Sequence, residues 1–322
     1  MPAMITHLLC GQAVLREVKP DIAQIINKHR KLYNIGAQGP DVFFYRPRGA
    51  TAGLGLRMHG ENVGKFLNGM SVGLEGLASE DREAAFAYFA GFLTHYALDC
   101  AAHPYVYYKT GFDSGGKLTG RYKIYHTTFE SAIDTLLLKH LQGCRPIDKK
   151  WWRSLAQERQ SAQGAATLVT QAVNAAYDNK LEDRHVLLSM GRMALATRIL
   201  RSRWGLWRGI VGFVENLISG DPVFAAMIHR QEIGDDIDYL NYGKNEWKEP
   251  WDEDSSRHDS FRELFNKAAT DALKMINALW SYMQGEMSLG RLQSLLGDRS
   301  FNSGRPISEG VIFKVHDIVF KR

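Results

Sequence analysis

The chain has 322 residues, of which 45% are hydrophobic and 11% aromatic, which supports a packed core and argues against intrinsic disorder. Its formal net charge of +5 comes from basic and acidic residues spread along the sequence, which argues against the concentrated basic stripe of a nucleic-acid-binding groove. Three cysteines exclude a disulfide framework, and the lack of a CxxC pair favours buried thiols over zinc ligands.

The first third of the chain reads as helices interrupted by loops. Residues 1–30 predict two short helices broken at Lys19-Pro20, since proline disfavours a helical conformation in the residue before it. Residues 31–60 are rich in Gly and Pro and predict a long loop with room for one short helix. Helices are predicted over 60–77 and 80–103, the second ended by Pro104, and a Gly-rich loop follows over 105–120. The 80–103 segment is apolar nearly all round, so we expect a central, buried helix.

The rest of the chain is also predominantly helical. Helices are predicted over 121–142, 148–179, 182–203, 205–218 and 255–286. Residues 220–254 read as irregular, and the tail 298–322 is ambiguous between a strand and a short helix. The predicted fold class is therefore all-α, with one domain over 1–285 and a C-terminal extension over 286–322 whose role stays open.

Eight side chains of the types that bind zinc lie within the first 130 residues: His7, Asp41, His59, His95, Asp99, His103, His126 and Glu130. His95, Asp99 and His103 are spaced i, i+4, i+8, and His126 and Glu130 are spaced i, i+4. Residues four apart share a helical face about 6 Å apart along the axis, so two facing helices would present five ligands to one cavity. A charged group buried in an apolar helix costs several kcal/mol unless it is paired or bound to a metal.

Each of these residues alone has an ordinary interpretation. One HxxxD pair on a helix is usually a polar pair, Asp41 and His59 would be common loop residues, and His7 would be a core histidine. The two helical motifs together favour a divalent metal. Three to five ligands serve one ion, whereas eight indicate a cluster of two or three.

The order of these residues resembles that of the zinc-dependent phospholipase C family, whose fold is shared with the S1/P1-type nucleases. An N-terminal His is followed by an Asp in a GPD loop, a His, HxxxDxxxH and HxxxE. The resemblance covers roughly residues 5–135, and looser similarities such as DYLN…W…P at Asp238 to Pro250 extend it to about residue 285. It implies a multi-helix bundle around a metal cluster.

The resemblance also implies a division of the ligands among ions. One zinc would be held by Asp41, His59, His95 and Asp99, and a second by His103, His126 and Glu130. Asp99 would bridge to a third ion, bound in the family by the counterpart of His7 and by an N-terminal Trp. No Trp lies near the start of this chain, so two zinc ions are predicted and a third is left open.

The predicted activity is that of a zinc-dependent phosphoester hydrolase. Zinc ions about 3.5–4 Å apart can bind both an attacking hydroxide and the phosphoryl oxygens, and Asp41 is the predicted base that orients the water. The favoured reaction is a phospholipase C-like cleavage of a phosphate-ester substrate, with a phospholipid headgroup as the candidate. The alternatives are a nuclease or small-molecule phosphatase on the same fold, or a non-catalytic protein whose helices are stabilised by zinc.

Location and partners follow from what the sequence lacks. The start has no basic stretch typical of a signal peptide, and no apolar run reaches the length of a membrane span. We therefore expect a cytoplasmic protein, or one peripheral at the inner membrane face, with no transmembrane segment and no stable nucleic-acid partner. Its oligomeric state is left open.

Secondary candidates surround these motifs. Asp134, one turn past Glu130, is a candidate partner for a ligand histidine or for a helix salt bridge. Aromatic residues beside the ligand segments could line a pocket or fill the core: Phe43, Phe44, Tyr45, Tyr105, Tyr107 and Tyr108. A patch of Trp and Arg could contact a membrane or phosphate groups, or belong to a solvated helix with buried Trp: Arg201, Arg203, Trp204, Trp207 and Arg208. The remaining histidines are interpreted as structural or exposed: His140, His185, His229, His258 and His316.

Overall fold

The structure is a computed structural model, and it describes residues 4–157, 160–201, 206–218 and 223–320. These contain fourteen α-helices and no β-strand, which confirms the predicted all-α class. In chain order they are α1 (Met4–Leu15), α2 (Pro20–Lys28), α3 (Arg30–Gly36), α4 (Leu54–Gly60), α5 (Val63–Glu75), α6 (Ser79–Thr110), α7 (Arg121–Gln142), α8 (Trp151–Leu155), α9 (Gln163–Tyr177), α10 (Asp183–Ile199), α11 (Leu206–Ile218), α12 (Val223–Met227), α13 (Phe261–Met283) and α14 (Leu289–Leu296).

Helix α6 is the centre of the bundle. Nearly every residue from Ala84 to Thr110 is buried, and α1, α3, α7, α9 and α13 pack around it. This is the central helix that its all-round apolar sequence predicts. Among the described helices, none combines the length and apolarity needed to span a bilayer.

The predicted end of α6 at His103 is wrong. The helix continues through Pro104 to Thr110, and the loop that follows is correspondingly shorter than the predicted 105–120. Proline removes one intrahelical hydrogen bond, here to the carbonyl of Cys100, but its ring does not prevent the next residues from being helical. Residues 105–110 are buried, so tertiary packing stabilises the last two turns.

Residues 31–60 contain far more helix than the predicted loop. They hold most of α3, a 3₁₀ segment over Gly39–Tyr45, a short turn over Gly49–Thr51 and α4. Their glycines mark the junctions between short helices, with positive φ angles at Gly39, Gly49 and Gly53. The break before Pro20 is confirmed, with α2 beginning at Pro20 itself.

Several other boundaries differ from the predicted ones. The predicted helix over 148–179 is divided into a 3₁₀ turn, α8 and α9, and α13 begins at Phe261 rather than at 255. In the tail, residues 311–320 are neither helix nor strand, and one isolated bridge joins Arg299 to Pro306. Helix α14 packs against α5 and α13. The division at residue 285 stays a prediction.

Candidate metal centre

All eight predicted ligand residues converge at one place beside α6. They come from α1 (His7), the 3₁₀ segment (Asp41), α4 (His59), α6 (His95, Asp99, His103) and α7 (His126, Glu130). Each of these residues, main chain and side chain together, is at most 8% exposed. Their donor atoms form three groups, each within 4.8 Å: His7, His95 and Asp99; Asp41, His59 and His95; His103, His126 and Glu130.

Asp99 is the hub of the cluster. Its Oδ1 lies 3.3 Å from His7 Nε2 and 3.6 Å from His103 Nε2. Its Oδ2 lies 3.0 Å from His95 Nε2 and 3.6 Å from His59 Nε2. Each oxygen therefore faces two imidazoles, which is the arrangement of a carboxylate able to bridge two ions.

The remaining carboxylates lie at either end of the cluster. Glu130 Oε1 is 3.2 Å from His126 Nε2 and 3.4 Å from His103 Nε2. Asp41 Oδ1 is 3.4 Å from His59 Nε2. Ligands about 2.1 Å from a tetrahedral zinc lie about 3.4 Å from each other, so these separations have the size of zinc sites.

Two of the imidazoles are oriented by backbone carbonyls. His59 Nδ1 donates to the carbonyl of Gly55 at 2.6 Å, within α4. His103 Nδ1 donates to the carbonyl of Phe301 at 3.0 Å. Because a carbonyl can only accept, both rings carry a proton on Nδ1, which leaves Nε2 as the atom that faces the cluster and would bind a metal.

Buried polar atoms within the cluster fit a cation. Asp41 Oδ1 and His95 Nε2 make no well-formed hydrogen bond in the described part of the chain, although they lie 3.4 Å from His59 Nε2 and 3.0 Å from Asp99 Oδ2. Unsatisfied buried polar atoms are rare because each costs about 1–3 kcal/mol. A divalent ion among these donors would satisfy both atoms.

The charges of the cluster also favour a bound cation. Burial tends to raise the pKa of Asp99 and of Glu130, but the neighbouring imidazoles lower both well below their usual range. Burial tends to lower the pKa of His59, but Asp41 and Asp99 raise it to about 10. The carboxyls are thus ionised, and their field attracts positive charge, whether from a proton or from a metal.

Gly39 brings the 3₁₀ segment close enough to complete the cluster. Its φ of +52° lies in the left-handed region, and a Cβ at this position would be 2.3 Å from Cδ2 of His95. Only glycine fits here without moving the imidazole. The segment thus places Asp41, two residues later, beside the helix that carries His95.

Asp134 has a different role from the two that its spacing suggests. It accepts hydrogen bonds from the backbone N–H groups of Ile5 at 3.1 Å and Thr6 at 2.7 Å, and it pairs with His229 at 2.8 Å. In the described part of the chain, none of its hydrogen bonds goes to a ligand histidine. Instead it anchors the first turn of α1, next to His7, by satisfying N–H groups at the helix start.

The aromatic candidates divide between core and site. The ring of Phe44 lies 5.8 Å from that of His59, and Tyr107 lies 5.0 Å from His126. Tyr107 also borders a cleft of about 310 Å³ with residues of the C-terminal segment. Phe43 and Tyr105 are core residues at 1% and 0% exposure.

The predicted Trp and Arg patch is described only at its ends. Arg203 and Trp204 lie outside the described residues, as does the side chain of Trp207. Arg201 is exposed and Arg208 half-buried.

Comparison with known protein families agrees with this geometry. The family model described as zinc dependent phospholipase C matches residues 6–178, more than half of the chain and all eight clustered residues. The chain belongs to the zinc-dependent phospholipase C family. No curated protein and no solved structure matched it. Membership in this family makes a zinc-dependent phosphoesterase the general class of activity.

Sequence reasoning missed three features of the site. The hydrogen bond from His103 to the carbonyl of Phe301 joins residues 198 positions apart, and the pair of Asp134 with His229 joins residues 95 positions apart. No local spacing can reveal either contact. Gly39 carried a weak signal, since a glycine two residues before a candidate ligand often marks a close approach.

Proposed function

We propose that the protein is a phospholipase C-type phosphodiesterase that binds two or three zinc ions and uses a metal-activated water. The observation that carries this proposal is that each of the three ligand groups places a histidine within 3.6 Å of an oxygen of Asp99. The proposed ligand sets are those that the resemblance implies, with Asp99 bridging the first and third sites. Structural zinc sites usually need only four ligands, so eight favour a catalytic cluster.

The chain's own residues suit hydrolysis of a phosphate ester. Bound zinc would supply Lewis acidity and a water whose pKa is near 7. The contact of Asp41 Oδ1 with His59 Nε2 at 3.4 Å leaves this oxygen able to accept the proton of a water and to orient the water for in-line attack. The side chains of Asp41, His103 and His59 are 12%, 10% and 9% exposed. We therefore propose that the substrate approaches the side of the cluster that these three residues form.

A surface next to this side favours a phospholipid as the substrate. Helix α10 packs against the 3₁₀ segment that carries Asp41. On its outer face Leu188, Leu195 and Ile199 are 44%, 54% and 62% exposed, and their spacing places them in one stripe. Residues 186–214 also contain five arginines and no acidic residue. Exposed apolar side chains with basic neighbours are typical of surfaces that lie on anionic bilayers, and a location at the inner membrane face stays our prediction.

The test is a side-by-side assay of the zinc-loaded protein on four substrates. These are phospholipid vesicles, a soluble phosphodiester, a phosphomonoester and single-stranded nucleic acid. We expect release of the phosphorylated headgroup from vesicles to be fastest. Preference for nucleic acid would support a nuclease, preference for the monoester a phosphatase, and zinc binding without hydrolysis a structural role.

Asp41→Asn tests the assigned base. Its kcat should fall by about 10²–10⁴ while the zinc content measured in parallel stays at one or more ions per chain. Asp235→Asn, at an exposed loop position, is the matched control and should behave like wild type. Full activity of Asp41→Asn would show that another group orients the water.

A further inference from the structure

A turn near the C-terminus lies directly against the metal centre. We call residues 298–306 the C-terminal turn; it is closed by hydrogen bonds from Ser300 N to Arg305 O at 2.9 Å and from Gly304 N to Ser300 O at 2.8 Å. Phe301 at its tip is 1% exposed, and its ring lies 5.2 Å from that of His59 and 5.8 Å from that of His95. The turn is outside the 6–178 segment that matches the family.

The backbone of Phe301 contacts two candidate ligands at once. Its N–H donates to the carbonyl of His59 at 2.9 Å, which fixes the end of α4. Its carbonyl accepts from His103 Nδ1 at 3.0 Å, which fixes the ring orientation and the tautomer of that histidine. The hydroxyl of Ser300 adds a second bond to the His59 carbonyl at 3.2 Å.

The C-terminal turn packs on α6 at Cys100, one helical turn before Pro104. Proline leaves the carbonyl of Cys100 without its usual intrahelical donor. Gly304 packs on this carbonyl so closely that a Cβ would be 2.2 Å from its oxygen, and its φ of +67° is in the left-handed region. The thiol of Cys100 donates to the carbonyl of Ser300 at 3.5 Å.

From these contacts we infer that the C-terminal turn is a positioning element of the metal centre, with Phe301 orienting His59 and His103. The inference rests on the proposed zinc binding. Loss of a hydrogen-bond partner behind a ligand typically weakens metal affinity 10–100-fold, so displacement of the turn should weaken zinc binding by that factor. Phe301 is itself buried, so it acts through His59 and His103.

The experiment compares two alanine substitutions at left-handed glycines. Gly304→Ala forces the turn away from α6, whereas Gly310→Ala, at φ +55° with no atom within 4 Å of the added Cβ, adds backbone strain alone. Zinc affinity is measured by competition with a chromophoric chelator. Alkylation of Cys100, 7% exposed and covered by the turn, is followed by peptide mass spectrometry on the native protein.

We expect Gly304→Ala to bind zinc about 10–100-fold more weakly and to expose Cys100 to alkylation, and Gly310→Ala to match wild type in both. Exposure of Cys100 with unchanged zinc affinity in Gly304→Ala would overturn the inference. If Gly304→Ala does not fold or leaves Cys100 protected, Phe301→Leu decides, since the ring seats the turn on His59 and His95 and its loss shifts the backbone groups that hold His59 and His103. Unchanged affinity in Phe301→Leu would then overturn it. Wild-type protein that binds no zinc would refute the proposed function instead.

Discussion

Replacement of Gly39 by alanine perturbs the metal centre without removing any ligand. At a φ of +52°, any side chain lowers the free energy of unfolding by about 1–2 kcal/mol. The added Cβ would also be 2.3 Å from Cδ2 of His95, whereas carbon atoms need about 3.5 Å, so the ring must move by about 1 Å. Overpacking of this kind costs a further ~1–3 kcal/mol.

A displacement of about 1 Å is large for a metal ligand, because ligand distances hold to within about 0.2 Å. We therefore expect Gly39→Ala to lose at least about tenfold in zinc affinity. Gly53→Ala is the matched control, since its φ is +68° and no atom lies within 4 Å of the added Cβ.

Urea unfolding of the zinc-free proteins and zinc titration by chelator competition measure the two effects. Gly39→Ala should be less stable than Gly53→Ala by about 1–3 kcal/mol. Equal zinc affinities in the two variants would refute the claim that Gly39 sets the position of His95.

Three further predictions follow from buried groups. Asp134→Ala should lower the free energy of unfolding by about 2–4 kcal/mol, since charge-assisted hydrogen bonds contribute ~1.5–3 kcal/mol each; an unchanged urea midpoint would contradict this anchor of the first helix. In the zinc-free protein the raised pKa of His59, about 10, means that its proton stabilises the fold fully below pH ~6.5 and that this contribution is lost as the pH rises toward 10. Wild type should therefore lose more unfolding free energy over that pH interval than His59→Asn. Parallel curves of unfolding free energy against pH for the two proteins would contradict this role of His59. Burial raises the pKa of Cys10 and Cys100 to about 12 each, so alkylation of the native protein at about pH 8 should reach Cys144 first. Equal rates at all three thiols would show that the buried pair is accessible.

The part of the site that could be predicted from the sequence is the part that local geometry determines. His95, Asp99 and His103 share one face of α6 because residues four apart always do, and the same holds for His126 and Glu130 on α7. These spacings would be the same in any fold that keeps the two helices.

The rest depends on how distant segments pack. The assignment of Asp41 and His59 to a zinc site comes from the resemblance alone, since short helices separated by glycines give no period to follow. The end of α6 was misplaced because burial of residues 105–110 outweighs the preference of proline for a helix start. The contact of Phe301 with His103 closes a loop of nearly two hundred residues and has no local signal.

Zinc content tests the central claim most directly. Protein purified without added metal would be measured by elemental analysis as wild type and as Asp99→Asn, which removes the hub carboxylate while preserving its shape. The account predicts about two or three zinc ions per chain in wild type and at least one fewer in the variant. A wild-type protein without zinc, whose fold is unchanged by a chelator, would contradict it.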